Sequence, residues 1–182
     1  MSAKRNDWVE AIGKPAYEAI AEMVAALKCD YDCLKALRDE REALVGNRDL
    51  AAEEEGKEDE FQAAVAAIDQ WDKAHHDELR DLEAAAGDCT SEEDARQRIN
   101  EDPLSLEVRS GWTAPDNPME AEEFRLLLGT GGPATRIVGD LDRDSPSEPR
   151  LEMQDGFKPW TEYCPAEEDV LQAYCECFYF GE

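Results

Sequence analysis

The stretch FQAAVAAIDQWDKAHHDELRDLEAAA, residues 61–86, places Phe61, Val65, Ile68, Asp72, His75, Leu79, Leu82 and Ala86 at alternating four- and three-residue intervals. That interval is the seam of a coiled-coil-like helix, whose one stripe meets a partner while the remainder faces water. Asp72 and His75 are its two polar members, and a polar residue on such a seam sets helix register. Toward the start of the chain, Ile20, Val24, Leu27, Tyr31 and Leu34 repeat the spacing, and Leu37 and Leu44 carry a shifted stripe onward. Pro15 stands near the beginning of that run, where its missing N–H costs little. Gly46 and Gly56 bracket an acid-rich connection. The spacing therefore predicts one helix over 16–45, a link over 46–57 and a second helix over 61–86. At 1.5 Å per residue these would run about 45 Å and about 39 Å, lengths that match. Residues 1–88 are thus expected to form an acidic, antiparallel helical hairpin. Two helices leave part of their stripe uncovered, so either the second half closes it or a second copy does, the latter giving a homodimeric four-helix bundle.

After Gly87 and Asp88 the period changes. Thr90 or Ser91, followed by Glu92, Glu93 and Asp94, reads as a helix cap with an acidic first turn, and Pro103 stops that helix near Asp102. Leu104, Leu106 and Val108 then alternate with Ser105, Glu107 and Arg109, the two-residue period of a half-buried strand. Phe124–Leu128 and Thr135–Leu141 flank the glycine-rich turn 129–133 and predict a hairpin. Leu151–Met153 is a weaker strand, and Trp160 and Tyr163 are packing residues. A last helix starts near Pro165, with Val170, Leu171, Tyr174 and Phe178 on its buried stripe. The expected fold class is α+β: the N-terminal hairpin, then over 89–182 a small antiparallel sheet of three or four strands with flanking helices on one face. Residues 114–123 and 143–150, rich in proline and acid, are expected as exposed loops.

The 182 residues are 42% hydrophobic and 35% charged, enough to bury a core. Forty-five acids against 19 lysines and arginines leave a net charge of −26. That balance excludes a direct nucleic-acid binder, which needs a basic footprint, and disfavours docking on anionic membranes. No window approaches the 18 apolar residues of a spanning helix, and the start lacks a secretory apolar stretch, so a cytoplasmic protein is expected.

Signals for chemistry are sparse. Cys29, Cys33, Cys89, Cys164, Cys175 and Cys177 have neither the density of a disulfide framework nor zinc-ligand spacing, and read as reduced structural thiols. The 129–133 turn leads into a strand, where a phosphate loop leads into a helix. Asp140, Asp142 and Asp144 copy the opening of a calcium loop, but Ser145 and Leu151 stand where glycine and glutamate are required. His75 and His76 belong to no catalytic pattern. No catalytic residue, metal ligand or cofactor is therefore expected, and the chain reads as a non-enzyme.

The charge is the remaining signal. Residues 1–90 carry 23 acids and 11 bases, and residues 91–182 carry 22 and 8, so both halves are acidic. Such an excess either keeps a small protein soluble or presents carboxylates at fixed separations, as a polynucleotide presents phosphates. In the second case the candidate partner-binding residues are Glu53, Glu54, Glu55, Glu58, Asp59 and Glu60 at the hairpin tip, with Asp77, Glu78 and Asp81 on the helix face.

The string 101–112, EDPLSLEVRSGW, with TGGPA at 130–134, PWTEY at 159–163 and the ending FYFGE, resembles a family of small uncharacterised accessory proteins of tailed phages and prophages. The resemblance covers about residues 91–182. It implies a phage product acting in the bacterial cytoplasm, and small acidic phage proteins of this kind are often inhibitors of host defence, anti-CRISPR proteins among them. Two functions are therefore expected as alternatives. One is a non-enzymatic mimic that blocks the basic nucleic-acid-binding surface of a defence complex, a CRISPR effector first among them. The other is a dimeric structural or adaptor protein that grips a phage or host protein by apolar contacts, with Trp112 and Trp160 as contact candidates.

Overall fold

A computed structural model describes residues 7–53, 56–112 and 120–181. The elements run α1 (Asp7–Leu27), α2 (Tyr31–Glu53), α3 (Glu58–Ala86), α4 (Glu92–Glu101), β1 (Ser105–Arg109), β2 (Glu123–Gly129), β3 (Ala134–Asp142), β4 (Ser145–Gln154), β5 (Thr161–Glu162) and α5 (Glu168–Cys175). The fold is α+β, with an antiparallel sheet, as the alternating periods predict. Residues 28–92 form one compact unit, and residues 1–27 with 93–182 form another.

The 28–92 unit is the helical hairpin of α2 and α3. Two features of the expected hairpin are corrected. The predicted helix 16–45 is two helices, because Asp30 ends the continuity: its Oδ1 accepts the backbone N–H of Cys33 at 2.9 Å, the N-cap of α2. Gly46, expected to end that helix, lies exposed in the interior of α2, which continues to Glu53. The seam of α3 is nonetheless where the period puts it, with Phe61, Val65, Ile68, Asp72, His75, Leu79 and Leu82 half-buried and Ala86 buried. Leu34, Leu37 and Ala51 are the buried residues of α2.

The second unit joins helix α1, which the sequence reading places in the hairpin, to residues 93–182. Helix α1 packs on α5 and β4 and so belongs with the C-terminal sheet. The sheet is a meander, β1-β2-β3-β4-β5, antiparallel throughout. Its register sets Leu106, Leu126, Ile137 and Leu151 side by side across four strands. This row faces a core completed by Ile20, Met23 and Val24 of α1, Ile99 of α4, and Leu171, Tyr174 and Cys175 of α5. Gly13 lets α1 approach closely: a Cβ there would come 2.3 Å from Tyr163 Cδ2 and 2.9 Å from Met153 Cε. Gly139 does the same for Phe124, whose ring fills the space a Cβ would take.

Residues 143–150, expected as a loop, are a turn and a strand. Arg143 and Asp144 both hold positive φ, 51° and 71°, the conformation of a two-residue hairpin turn that matches strand twist. Pro146 and Pro149 lie in the part of β4 that pairs only with β3, and a free edge accommodates proline. The predicted loop 114–123 lies outside the described residues up to 119, and its last residue, Glu123, opens β2.

Candidate functional site

On the 28–92 unit the acids stand on well-formed helices. Glu53 is exposed at the last residue of α2, and Glu58, Asp59 and Glu60 are exposed in the first turn of α3. Glu54 and Glu55 lie outside the described residues. Carboxylates in a first turn meet the positive end of the helix dipole, so these three also stabilise α3. Glu58 accepts the Gln62 amide at 2.8 Å, and Glu60 pairs with Lys57 at 3.2 Å. Asp77, Glu78 and Asp81 lie farther along α3, so the structure does not gather the seven described candidates into one patch. Arg80 bridges Asp77 at 3.2 Å and Asp81 at 3.0 Å, and both carboxylates, Asp81 first, hold its guanidinium charged. Glu78 stands 3.7 Å from His75 Nδ1.

The period also shows acids that were not singled out. Asp32, Asp39, Glu42, Asp49 and Glu53 are all exposed, and their spacing of seven, three, seven and four residues keeps them on one face of α2. They rise along the axis by about 10.5, 4.5, 10.5 and 6 Å in turn. Lys35 shares that stripe. Asp49 is paired with Arg48. The signal was present in the sequence as a heptad-like recurrence of acid on the face opposite Leu34 and Leu37.

Between the two helices, polar cross-links hold the scaffold. Arg38 pairs with Glu83 at 3.1 Å, Arg41 with Asp72 at 3.0 Å, and Trp71 Nε1 donates to Glu40 at 3.2 Å. The Asp72 hydrogen bond and charge hold Arg41 protonated beyond its ordinary range. Asp72, polar on the apolar seam, is thereby explained. The other seam exception, His75, stacks against Trp71 with ring centroids 5.0 Å apart. Desolvation and the carboxylates of Glu78 and Asp30 push the Cys33 thiol up, and desolvation with Asp30 does the same for Cys29. Neither thiol is held as the thiolate that nucleophilic chemistry needs.

The sheet unit has a polar face of its own. Across the side away from the core, Glu107 pairs with Arg125 and Arg109 with Glu123 on neighbouring strands. Arg136 makes a two-pronged contact with Glu152, at 2.8 and 2.6 Å, and lies 3.9 Å above the Trp160 ring. A shallow cavity of about 310 Å³ is lined there by Arg109, Arg125, Arg136 and Arg150 together with Glu107 and Asp140. Guanidiniums and carboxylates alternate along its walls, so the cavity presents no single-signed charge. Trp160 is half-buried beneath the Arg136 guanidinium, a cation–π contact. Trp112 is fully exposed.

All six cysteines are free thiols. Among the described residues no group of three or more His, Cys, Asp or Glu could hold a metal ion, Asp140, Asp142 and Asp144 included. No described helix is long and apolar enough to cross a membrane. Comparison with known proteins finds no family model that matches the chain, and no matching curated protein or solved structure.

Proposed function

We propose that the chain is a non-enzymatic, phage-encoded inhibitor acting in the bacterial cytoplasm, which occupies the basic nucleic-acid-binding surface of a host defence complex. CRISPR effectors are the leading class of target. One observation carries the reading: exposed carboxylates of α2 and α3 are held at fixed helical intervals on a cross-linked hairpin, in a unit whose 20 acids and 8 bases leave a net charge of −12. A rigid anionic lattice enters a cationic groove with the same electrostatic steering and counterion release that favour DNA. The resemblance of residues 91–182 to phage accessory proteins points the same way.

The test is stoichiometric inhibition of DNA binding by a purified, guide-loaded effector complex. Affinity should fall steeply between about 50 and 200 mM salt, as it does for a ligand that displaces counterions. Substituting lysine at Glu53, Glu54, Glu55, Glu58, Asp59 and Glu60 should weaken inhibition at least about tenfold, a loss of about 1.4 kcal/mol. Binding that is indifferent to salt would overturn charge mimicry.

The second reading, a dimeric adaptor that grips a protein by apolar contacts, is favoured by the full exposure of Trp112. It predicts salt-insensitive binding that Trp112→Ala abolishes.

A further inference from the structure

Strand β1 is the edge of the sheet, and its free side carries an unusual load. Leu104, Leu106, Val108 and Trp112 are 61%, 38%, 45% and fully exposed, four large apolar side chains within nine residues. Leu106 and Val108 stand beside the buried Leu126 and Phe124 on the core side of the sheet, so the core layer runs out to the edge and is left open there. The Arg109 carbonyl accepts the Glu122 N–H at 2.9 Å. Backbone groups alternate in direction along a strand, so Ser105, Glu107 and Arg109 address β2, while Leu106 and Val108 direct N–H and C=O away from it. No described strand lies on that side. Backbone groups that no described strand pairs, beside exposed apolar side chains, form a template for another strand.

We propose that β1 pairs antiparallel with β1 of a second copy about a twofold axis at Val108, joining two five-stranded sheets into one. Charge selects this register. With the axis at Val108, Glu107 lies opposite the partner's Arg109 and Arg109 opposite the partner's Glu107. An axis at Glu107 would oppose two carboxylates, and one at Arg109 two guanidiniums, both unfavourable across a strand pair. An axis at Leu106 would set Glu107 against serine and forfeit both ion pairs. At Val108 the two outward N–H and C=O groups satisfy each other, and the same register sets Leu106 opposite Ser110 and Leu104 opposite Trp112. The exposed apolar residues are thereby covered, and the contact is isologous, as a closed dimer requires. This surface is independent of the acidic hairpin and so of the mimicry reading, whereas it engages Trp112, the residue on which the adaptor reading rests.

Sedimentation of the full chain tests it. So short an edge belongs with interfaces below about 1,200 Å², which associate weakly, so the series runs to roughly millimolar chain. The expected result is a doubling of the 20.4 kDa mass, with amide exchange at Leu106 and Val108 slowing as concentration rises. Because the Val108 N–H points outward, Val108→Pro leaves the β1–β2 ladder intact and should abolish the doubling with an unchanged circular dichroism spectrum. Glu107→Arg and Arg109→Glu should each be monomeric alone, yet associate when the two variants are mixed, because only the mixed pair restores opposite charges. A wild-type chain that stays at the monomer mass throughout, a dimer that survives Val108→Pro undiminished, or a mixture that fails to associate would each overturn the proposal.

Discussion

Gly13 of α1 lies against the ring of Tyr163, so close that a Cβ would stand 2.3 Å from Cδ2 and 2.6 Å from Cγ. A methyl group cannot occupy that space without displacing the ring or the helix. The contact fixes α1 on the sheet, because Met153 closes the same space from β4.

Gly13→Ala should therefore destabilise the chain by about 1–3 kcal/mol through overpacking, against a helix-propensity gain of up to about 1 kcal/mol. Gly46→Ala is the matched control. It sits exposed within α2 with nothing within 4 Å of a new Cβ, so it should stabilise by about 0.5–1 kcal/mol. Urea midpoints of the two variants should move in opposite directions.

Asp30→Ala removes the side-chain oxygen that accepts the Cys33 N–H at 2.9 Å. Loss of an N-cap costs about 1 kcal/mol. The hairpin unit should show it as faster amide exchange in the first turn of α2, while exchange in the sheet is unchanged.

Stability should fall on the alkaline side. Burial, first of all, and then Cys177 push the Cys175 thiol up from its ordinary 9.0. Burial and the hydrogen bond that the Tyr174 hydroxyl donates to Asp102 at 2.6 Å push that phenol up from 10.0. Both groups hold their protons longer in the folded chain than in the unfolded one, so their contribution is complete below those ordinary values. It is lost progressively as pH rises past 9.0 and then past 10.0 toward the raised folded values. Chemical denaturation from pH 7 to 11 should trace a decline that begins earlier in the wild type than in Cys175→Ala.

Arg136→Ala should cost about 1–3 kcal/mol, because it leaves Glu152 without its charged partner and uncovers Trp160. Their side chains are only 19% and 20% exposed. Arg38→Ala breaks a solvent-open pair with Glu83 and should cost under about 1 kcal/mol. The ratio of the two losses checks whether the outer sheet face is a structural network.

With a net charge of −26, self-repulsion opposes the compact state. Raising sodium chloride from about 10 mM to about 150 mM shortens the screening length from about 30 to about 8 Å and should raise the melting temperature. A fall in melting temperature instead would mean that surface ion pairs outweigh the repulsion.

Much of this was legible because it is local. The four-three seam of α3, the start and proline stop of α4, the alternation of β1 and the glycine turn between β2 and β3 each depend on residues within a few positions of one another. The break before α2 carried a signal too, since Asp30 precedes Tyr31 as a cap should, but neither glycine nor proline marks it and the apolar stripe runs across it without interruption. The β3–β4 turn was illegible for the opposite reason: Arg143 and Asp144 take positive φ without glycine, and two prolines disguise β4 as a loop. Among the candidate acids, the helical setting of Asp77, Glu78 and Asp81 followed from the period, whereas Glu53, expected in the link, ends α2, Glu58, Asp59 and Glu60 open α3, and the stripe from Asp32 to Glu53 became evident only once α2 was known to continue through Gly46.

By itself the sequence determined the periods, most of the turns, and the excess of acid over both halves, since each is set by neighbouring side chains and by composition. Only the tertiary structure decided that α1 leaves the hairpin for the sheet, and that the arginines of the sheet's outer face meet carboxylates on adjacent strands. Those choices rest on shape and charge complementarity between segments far apart in the chain, such as Gly13 with Tyr163 and Arg136 with Trp160, and no local window contains both members of such a pair.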